Sequence, residues 1–205
     1  MIIKGNDITN ISIQETRLLY KQWEDYQNLN ALLLDEITSM RERDPKGLMG
    51  SNPGCWRTHE KYKCEQELLK PMNMIIAAWT DYFIPNAQVD IEIGYWTNVN
   101  EPGSENVFHA HYMDRADVSG VYYAQGSNTG AIRFTTHEQM YRMIITGQDN
   151  IAVAREPQDG EIMLFPSYLL HAVVANPHPT RQRISIAFNA KIRIKEGKND
   201  KTRAN

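Results

Sequence analysis

The hydrophobic pattern of the chain changes period once, near Pro85. Before it, apolar side chains recur at helical spacing. Leu19, Trp23, Tyr26, Leu33, Ile37 and Met40 follow in alternating steps of four and three, with the polar Asn30 in the same row. This predicts an amphipathic helix over about Ile13–Arg43, in one piece or broken near Asn28–Asn30. Asp44-Pro-Lys-Gly47 should end it, because proline disfavours a helical residue before it. A second helix is expected over about Glu65–Phe83, with Leu69, Met72, Ile76, Trp79 and Phe83 on one side. Pro71 suits only its first turn. Between the two, Ser51-Asn-Pro-Gly-Cys-Trp-Arg-Thr58 reads as an ordered loop rich in turn formers.

Beyond Pro85 the period becomes two. Alternating or apolar stretches cover Val89–Val99, Val118–Ala124, Ala131–Thr135, Ile151–Ala154, Glu161–Phe165, His171–Val174 and Arg183–Ile194. Many short strands divided by Gly, Pro and Asn turns imply a β-sandwich or barrel and not a βαβ fold. The expected architecture is mainly β with N-terminal helices. One domain should span 1–195, with a helical part of about 1–85 buttressing an outer face of a barrel of about 86–195. Residues 196–205 should form a flexible tail.

Composition narrows the partners. At 205 residues the chain can bury a real core, and 41% hydrophobic with 23% charged residues are globular values. The net charge of -3, without a dense basic stripe, argues against nucleic acid. Two cysteines, Cys55 and Cys64, make no disulfide framework and no zinc motif, so they read as ordinary thiols. The first residues lack the apolar run of a signal peptide, and no stretch is long enough to span a bilayer. The expected location is the cytoplasm, with no membrane partner.

Chemistry concentrates in the strand region. His109-Ala-His111 places two imidazoles at i and i+2, which an extended backbone points to one face. His171 follows Leu164-Phe-Pro166 among apolar residues, where a histidine needs a partner, and a metal is one. On the strand Arg183–Asn189, Arg183, Ser185, Ala187 and Asn189 share one face and Ile184, Ile186 and Phe188 the other. An inward Arg183 is costly unless it meets an anion; its planar fork suits a carboxylate, and Ser185 would add a hydroxyl. Tyr123 shares a face with Ser119 and Val121 and could offer a phenol to the same pocket. Each has a blander reading: loop histidines for the HxH pair, and a structural ion pair for Arg183. His59, His137 and His178 read as surface residues.

Four blocks together resemble the iron(II)- and 2-oxoglutarate-dependent dioxygenases, and most closely the small 2OG-Fe(II) oxygenases of bacteria and phages. They are Ser51–Thr58; Tyr95-Trp-Thr-Asn-Val99 leading to His109-Ala-His111; Val118-Ser-Gly-Val-Tyr-Tyr123; and Leu164–His171 with Arg183–Asn189. The resemblance implies a double-stranded β-helix, a jelly-roll or cupin-like barrel, with iron at its mouth. It implies His109, His111 and His171 as ligands of Fe(II), and Arg183, helped by Ser185 and Tyr123, as the anchor of 2-oxoglutarate. The implied reaction is hydroxylation of a substrate, with succinate and carbon dioxide as co-products. The usual facial triad has two histidines and one carboxylate. Here His111 stands at the carboxylate position, with Asp114 as the alternative ligand and Asp117 a poorer one. A cupin-type metal enzyme and a non-catalytic barrel are the rival readings. The substrate stays open among free amino acids, peptides, protein side chains and small metabolites. Gly147–Glu156 and Glu101–Asn106 could line the entrance, and the first helix could pair with a copy of itself.

Overall fold

The computed structural model describes residues 16–48, 54–148 and 151–195. Residues 13–15 of the expected first helix, Ser51–Pro53, two residues of the loop 147–156 and the tail 196–205 lie outside these.

The first element among the described residues is a strand, not a helix. β1, Leu19–Gln22, pairs antiparallel with β8, Glu161–Pro166, and only then does α1 run over Tyr26–Arg43. Leu18 packs on the apolar cluster between the sheets and Leu19 on the cluster beneath the helices. Neighbours that face opposite ways mark a strand, and pairing with the free edge of β8 overrides the helical spacing. Within α1, Leu29, Leu33, Ile37 and Met40 are buried. Asn30 keeps its place in that row because its Oδ1 accepts the Tyr122 hydroxyl at 2.7 Å.

The expected loop before the second helix contains β2, Cys55–Thr58. It adds to the edge of β3, Val89–Asn100, so the sheet, not the local turn formers, sets its conformation. α2, Glu65–Phe83, runs straight through Pro71, which lies past the first turn and is buried. Its buried face holds Leu68, Met72, Ile75 and Ile76, while Phe83 is exposed.

After β3 come β4, Asn106–His109, a 3-10 turn at Tyr112–Asp114, β5, Val118–Gln125, and β6, Ile132–Thr135. The helix α3, His137–Thr146, which the core pattern did not predict, buries none of its residues. It rests on its caps: Thr136 and Gln139 form a reciprocal capping box, and Gly147 closes the helix at φ 66°. β7, Val153–Arg155, β8, β9, Leu170–Val173, and β10, Arg183–Ile194, complete the chain.

Among the described residues the strands form two antiparallel sheets, in the orders β1-β8-β5-β10-β3-β2 and β4-β9-β6-β7. Each buried strand of the larger sheet is two-faced. Ile184, Ile186 and Phe188 of β10, Tyr122 of β5 and Leu164 of β8 pack beneath α1 and α2. Val121, Tyr123, Met163 and Phe165 pack instead against Ile132 and Phe134 of the smaller sheet. The result is a jelly roll with the helices on one outer face. Arg155 of β7 and Glu161 of β8 join the two sheets at one side through a two-pronged pair at 2.8 and 2.7 Å. No helix among the described residues is long and apolar enough to cross a membrane.

Gly120 marks where β5, β8 and β10 meet most closely. A Cβ there would lie 2.2 Å from Phe188 Cζ and 2.6 Å from the Met163 carbonyl oxygen. Gly120→Ala should therefore destabilise the protein by at least the roughly 1–3 kcal/mol typical of overpacking. An unchanged urea midpoint in equilibrium unfolding would contradict this close approach.

Candidate metal centre

The interior of the jelly roll is not filled by side chains everywhere. A cavity of about 360 Å³ opens between the sheets, and its walls carry His109, His111, His171 and Arg183.

Pairing of β4 with β9 sets His109 directly across from His171. Their ring centroids are 4.3 Å apart. The strand stops at His109, so the same-face argument does not carry His111; the chain turns, and the His111 N–H donates to the Ser167 carbonyl at 2.8 Å. This turn still brings the third ring to 5.0 and 5.3 Å from the other two. One nitrogen from each of the three histidines lies within 4.8 Å of the others. His171 is fixed by Phe165 at 4.8 Å and by its cross-strand neighbour Phe134.

The second nitrogen of each ring points away from that focus. Nδ1 of His109 is 2.8 Å from the Val107 carbonyl, Nδ1 of His171 is 2.9 Å from the Leu169 carbonyl, and Nδ1 of His111 is 3.0 Å from Asp114 Oδ2. All three acceptors select the tautomer with the proton on Nδ1, which leaves Nε2 with a free lone pair. Burial, and then the adjacent His109, push the His171 pKa down to about 3. Burial also lowers that of His109. Near neutral pH both rings are thus neutral, the form that binds metals.

Of the remaining histidines, His59 and His137 are exposed, and His178 accepts backbone N–H groups in its own loop. Asp117 faces away, accepting from the Ile192 N–H at 2.7 Å. Cys55 and Cys64 are free thiols whose pKa values burial raises, that of Cys64 to about 12, which leaves them unreactive.

The wall of the larger sheet is laid out in rows across the strands. One row carries Cys55, Asn100 and Arg183; the next carries Arg57, Asn98, Ser185 and Tyr123. Arg183 is 1% exposed. Its Nη1 donates to the Thr129 carbonyl at 2.9 Å, while its Nη2 is buried without a partner. No ion pair of Arg183 exists among the described residues, so the salt-bridge reading of this position fails. Burial lowers its pKa, yet a guanidinium stays charged. Tyr123 is buried beside it, and burial pushes its phenol up, so the hydroxyl remains a donor.

Arg57 and Asn98 were not singled out by sequence, although each sits in one of the four quoted blocks. Each carries a buried polar atom without a partner and lines the same cavity, and Arg57 lies 5.0 Å over the Trp96 ring. Of the loops expected at the entrance, Asn106 contributes to the cavity; the described residues of 147–156 do not.

Residues 94–189, which hold every group of this site except those of β2, match the family described as "Putative 2OG-Fe(II) oxygenase". Over this segment, just under half of its length, the chain is similar to that family of oxygenases. No curated protein matches it in sequence. Solved structures of similar fold include a prolyl-4-hydroxylase from Pseudomonas putida, with TM-score 0.58 and 15% identity, covering 87% of this chain and 93% of that one. HygX from Streptomyces hygroscopicus, with nickel, 2-oxoglutarate and hygromycin B bound, gives TM-score 0.56 and 13% identity over 85% and 82% of the two chains. The 2-oxoglutarate-dependent epimerase SnoN gives 0.57 and 10% over 85% and 77%. These oxygenases share its jelly roll.

The donor set of the site fits a borderline divalent ion, since three imidazoles converge on one point. The protein should bind one Fe(II), or Co(II) in its place, per chain. Replacing His171 by Ala should weaken binding by more than the roughly 10–100-fold that loss of an outer partner costs. Equilibrium dialysis that finds equal affinity in wild type and variant would remove His171 from the site.

Proposed function

We propose that the protein is an iron(II)- and 2-oxoglutarate-dependent dioxygenase that hydroxylates a small molecule, a peptide or a protein side chain. Its net charge does not suit nucleic acid as the substrate. In this reading His109, His111 and His171 hold the iron. Arg183 takes the distal carboxylate of 2-oxoglutarate, with Ser185 and Tyr123 as further donors. When bound, iron and 2-oxoglutarate would supply the oxidising chemistry with dioxygen as the oxidant: one of its oxygen atoms goes into succinate as the co-substrate loses carbon dioxide, and the other into the hydroxylated substrate.

The observation that carries this reading is the state of Arg183. A buried cation without a counterion costs several kcal/mol; Nη2 of Arg183 has no partner among the described residues, and Arg183 lines a cavity that also holds the three histidines. A dicarboxylate would satisfy both groups. One end pairs with the guanidinium fork and the other reaches the imidazole focus. Ser185 lies directly beside Asn98 and Tyr123 in the sheet, so its hydroxyl belongs to the same wall. Val121, Phe165 and Ile132 close the cavity with apolar surface and keep water from the anion. HygX, of the same fold, holds nickel and 2-oxoglutarate together, which supports the pairing of metal and co-substrate here. A cupin-type metal site would use the same histidines but would leave Arg183 unexplained, and so would a barrel without chemistry.

The test is turnover of 2-oxoglutarate without added substrate, followed as succinate release in the presence of Fe(II) and ascorbate. Arg183→Ala should weaken 2-oxoglutarate by roughly 10- to 150-fold, the equivalent of about 1.5–3 kcal/mol for one charge-assisted contact. Arg183→Lys, which keeps the charge but loses the fork, should lie between the two. Succinate release with the same 2-oxoglutarate dependence in all three proteins would refute the assignment of Arg183.

A further inference from the structure

We infer that Asp114 is a positioning residue that restores, one bond further out, the carboxylate that the three-histidine site lacks. The inference rests on His109, His111 and His171 as the ligand set.

Asp114 lies in the 3-10 turn that immediately follows His111, and its N–H donates to the His111 carbonyl at 3.0 Å. Its side chain does not join the histidine focus, which consists of the three imidazoles. It sits behind one of them, with Oδ2 at 3.0 Å from His111 Nδ1. His109 and His171 have neutral backbone carbonyls in the corresponding place. His111 alone has a negative charge there. It is also the residue that stands where the usual triad has its carboxylate.

The carboxylate is itself held. Asn189 Nδ2 donates to the same Oδ2 at 3.2 Å, and the Ser119 hydroxyl donates to Asn189 Oδ1 at 2.7 Å. Because Ser119 takes up the amide oxygen, the amide nitrogen of Asn189 is turned towards Asp114. The relay Ser119–Asn189–Asp114–His111 therefore runs from β5 through β10 to the turn after β4. Ser119 and Asn189 face each other across those strands. It gives a polar purpose to the inward face of β10 beyond Arg183. One consequence follows for His111: the proton is kept on Nδ1, so Nε2 is presented to the metal. Half of the Asp114 side chain faces solvent, at 55% exposed, so orientation contributes alongside a screened charge.

The experiment uses the full chain, Co(II) as the probe, and Asp114→Ala, Asp114→Asn and Asn189→Ala. Co(II) affinity is read from its visible absorption, and the tautomer of His111 from nitrogen-15 chemical shifts of the metal-free protein. Asp114→Ala should bind Co(II) roughly 10–100-fold more weakly and should show His111 as a mixture of tautomers. Asp114→Asn, which can still accept from Nδ1, should keep the tautomer and lose part of the affinity. Asn189→Ala should weaken binding less, and its effect should not add to that of Asp114→Ala. The thermal midpoint of the metal-free variants should match wild type, which separates this role from a structural one. Wild-type protein that binds no Co(II) would remove the ligand set, and the inference with it. Wild-type binding that Asp114→Ala leaves unchanged, with His111 still in one tautomer, would overturn the inference alone.

Discussion

A guanidinium sealed inside a jelly roll with one nitrogen unpaired is the constraint to which the rest of the site answers. Arg183 is held by a carbonyl of the Gly126–Gly130 turn at Nη1 and by nothing protein-borne at Nη2. Burial of that kind is tolerated where an anion arrives to complete it. The strand that carries Arg183 explains how the cost is contained. On β10 every second residue, Ile184, Ile186 and Phe188, is buried against the helices, so the strand cannot slip by one position without exposing three large apolar groups. Packing on the outer face thus pins the cation on the inner one.

The two apolar clusters divide the labour. The larger one, between α1, α2 and the six-stranded sheet, supplies most of the buried apolar surface. The smaller one lies between the sheets and shares its space with the cavity, so Val121, Tyr123 and Phe165 serve as both core and pocket wall. A site lodged in the thinner layer leaves the thicker layer to provide stability. That arrangement lets Nε of Arg57 and Oδ1 of Asn98 stay buried without a hydrogen-bond partner among the described residues.

What could be read from the sequence followed how local the deciding physics was. The faces of β10 and β5 follow from alternation alone, and so does the burial of α1 from Leu33 to Met40. Leu19–Gln22 was misleading because its spacing fits a helix, whereas its conformation is set by the distant edge of β8. β2 is likewise imposed by β3, and Cys55-Trp-Arg-Thr58 is too short to announce itself. α3 was legible in another signal, the Thr136 and Gln139 box with Gly147, but not in a core stripe, since Ile144 and Ile145 are exposed. For the site, the types and order of His109, His111, His171 and Arg183 carried the reading. Which atom faces which did not: the turn that swings His111 into place, and the side of it on which Asp114 lies, depend on contacts with Ser167 and Asn189 from elsewhere in the chain.

In the proposed function one cavity binds metal and 2-oxoglutarate together, the metal on the three histidines and the co-substrate's far carboxylate on Arg183. The most direct test is an anaerobic titration of the metal-free protein with Fe(II) and 2-oxoglutarate, followed by visible absorption. The account predicts a charge-transfer band that needs both additions, saturates at one equivalent of each per chain, and is lost in His171→Ala. Fe(II) that binds tightly while 2-oxoglutarate produces no band, at any concentration, would contradict it.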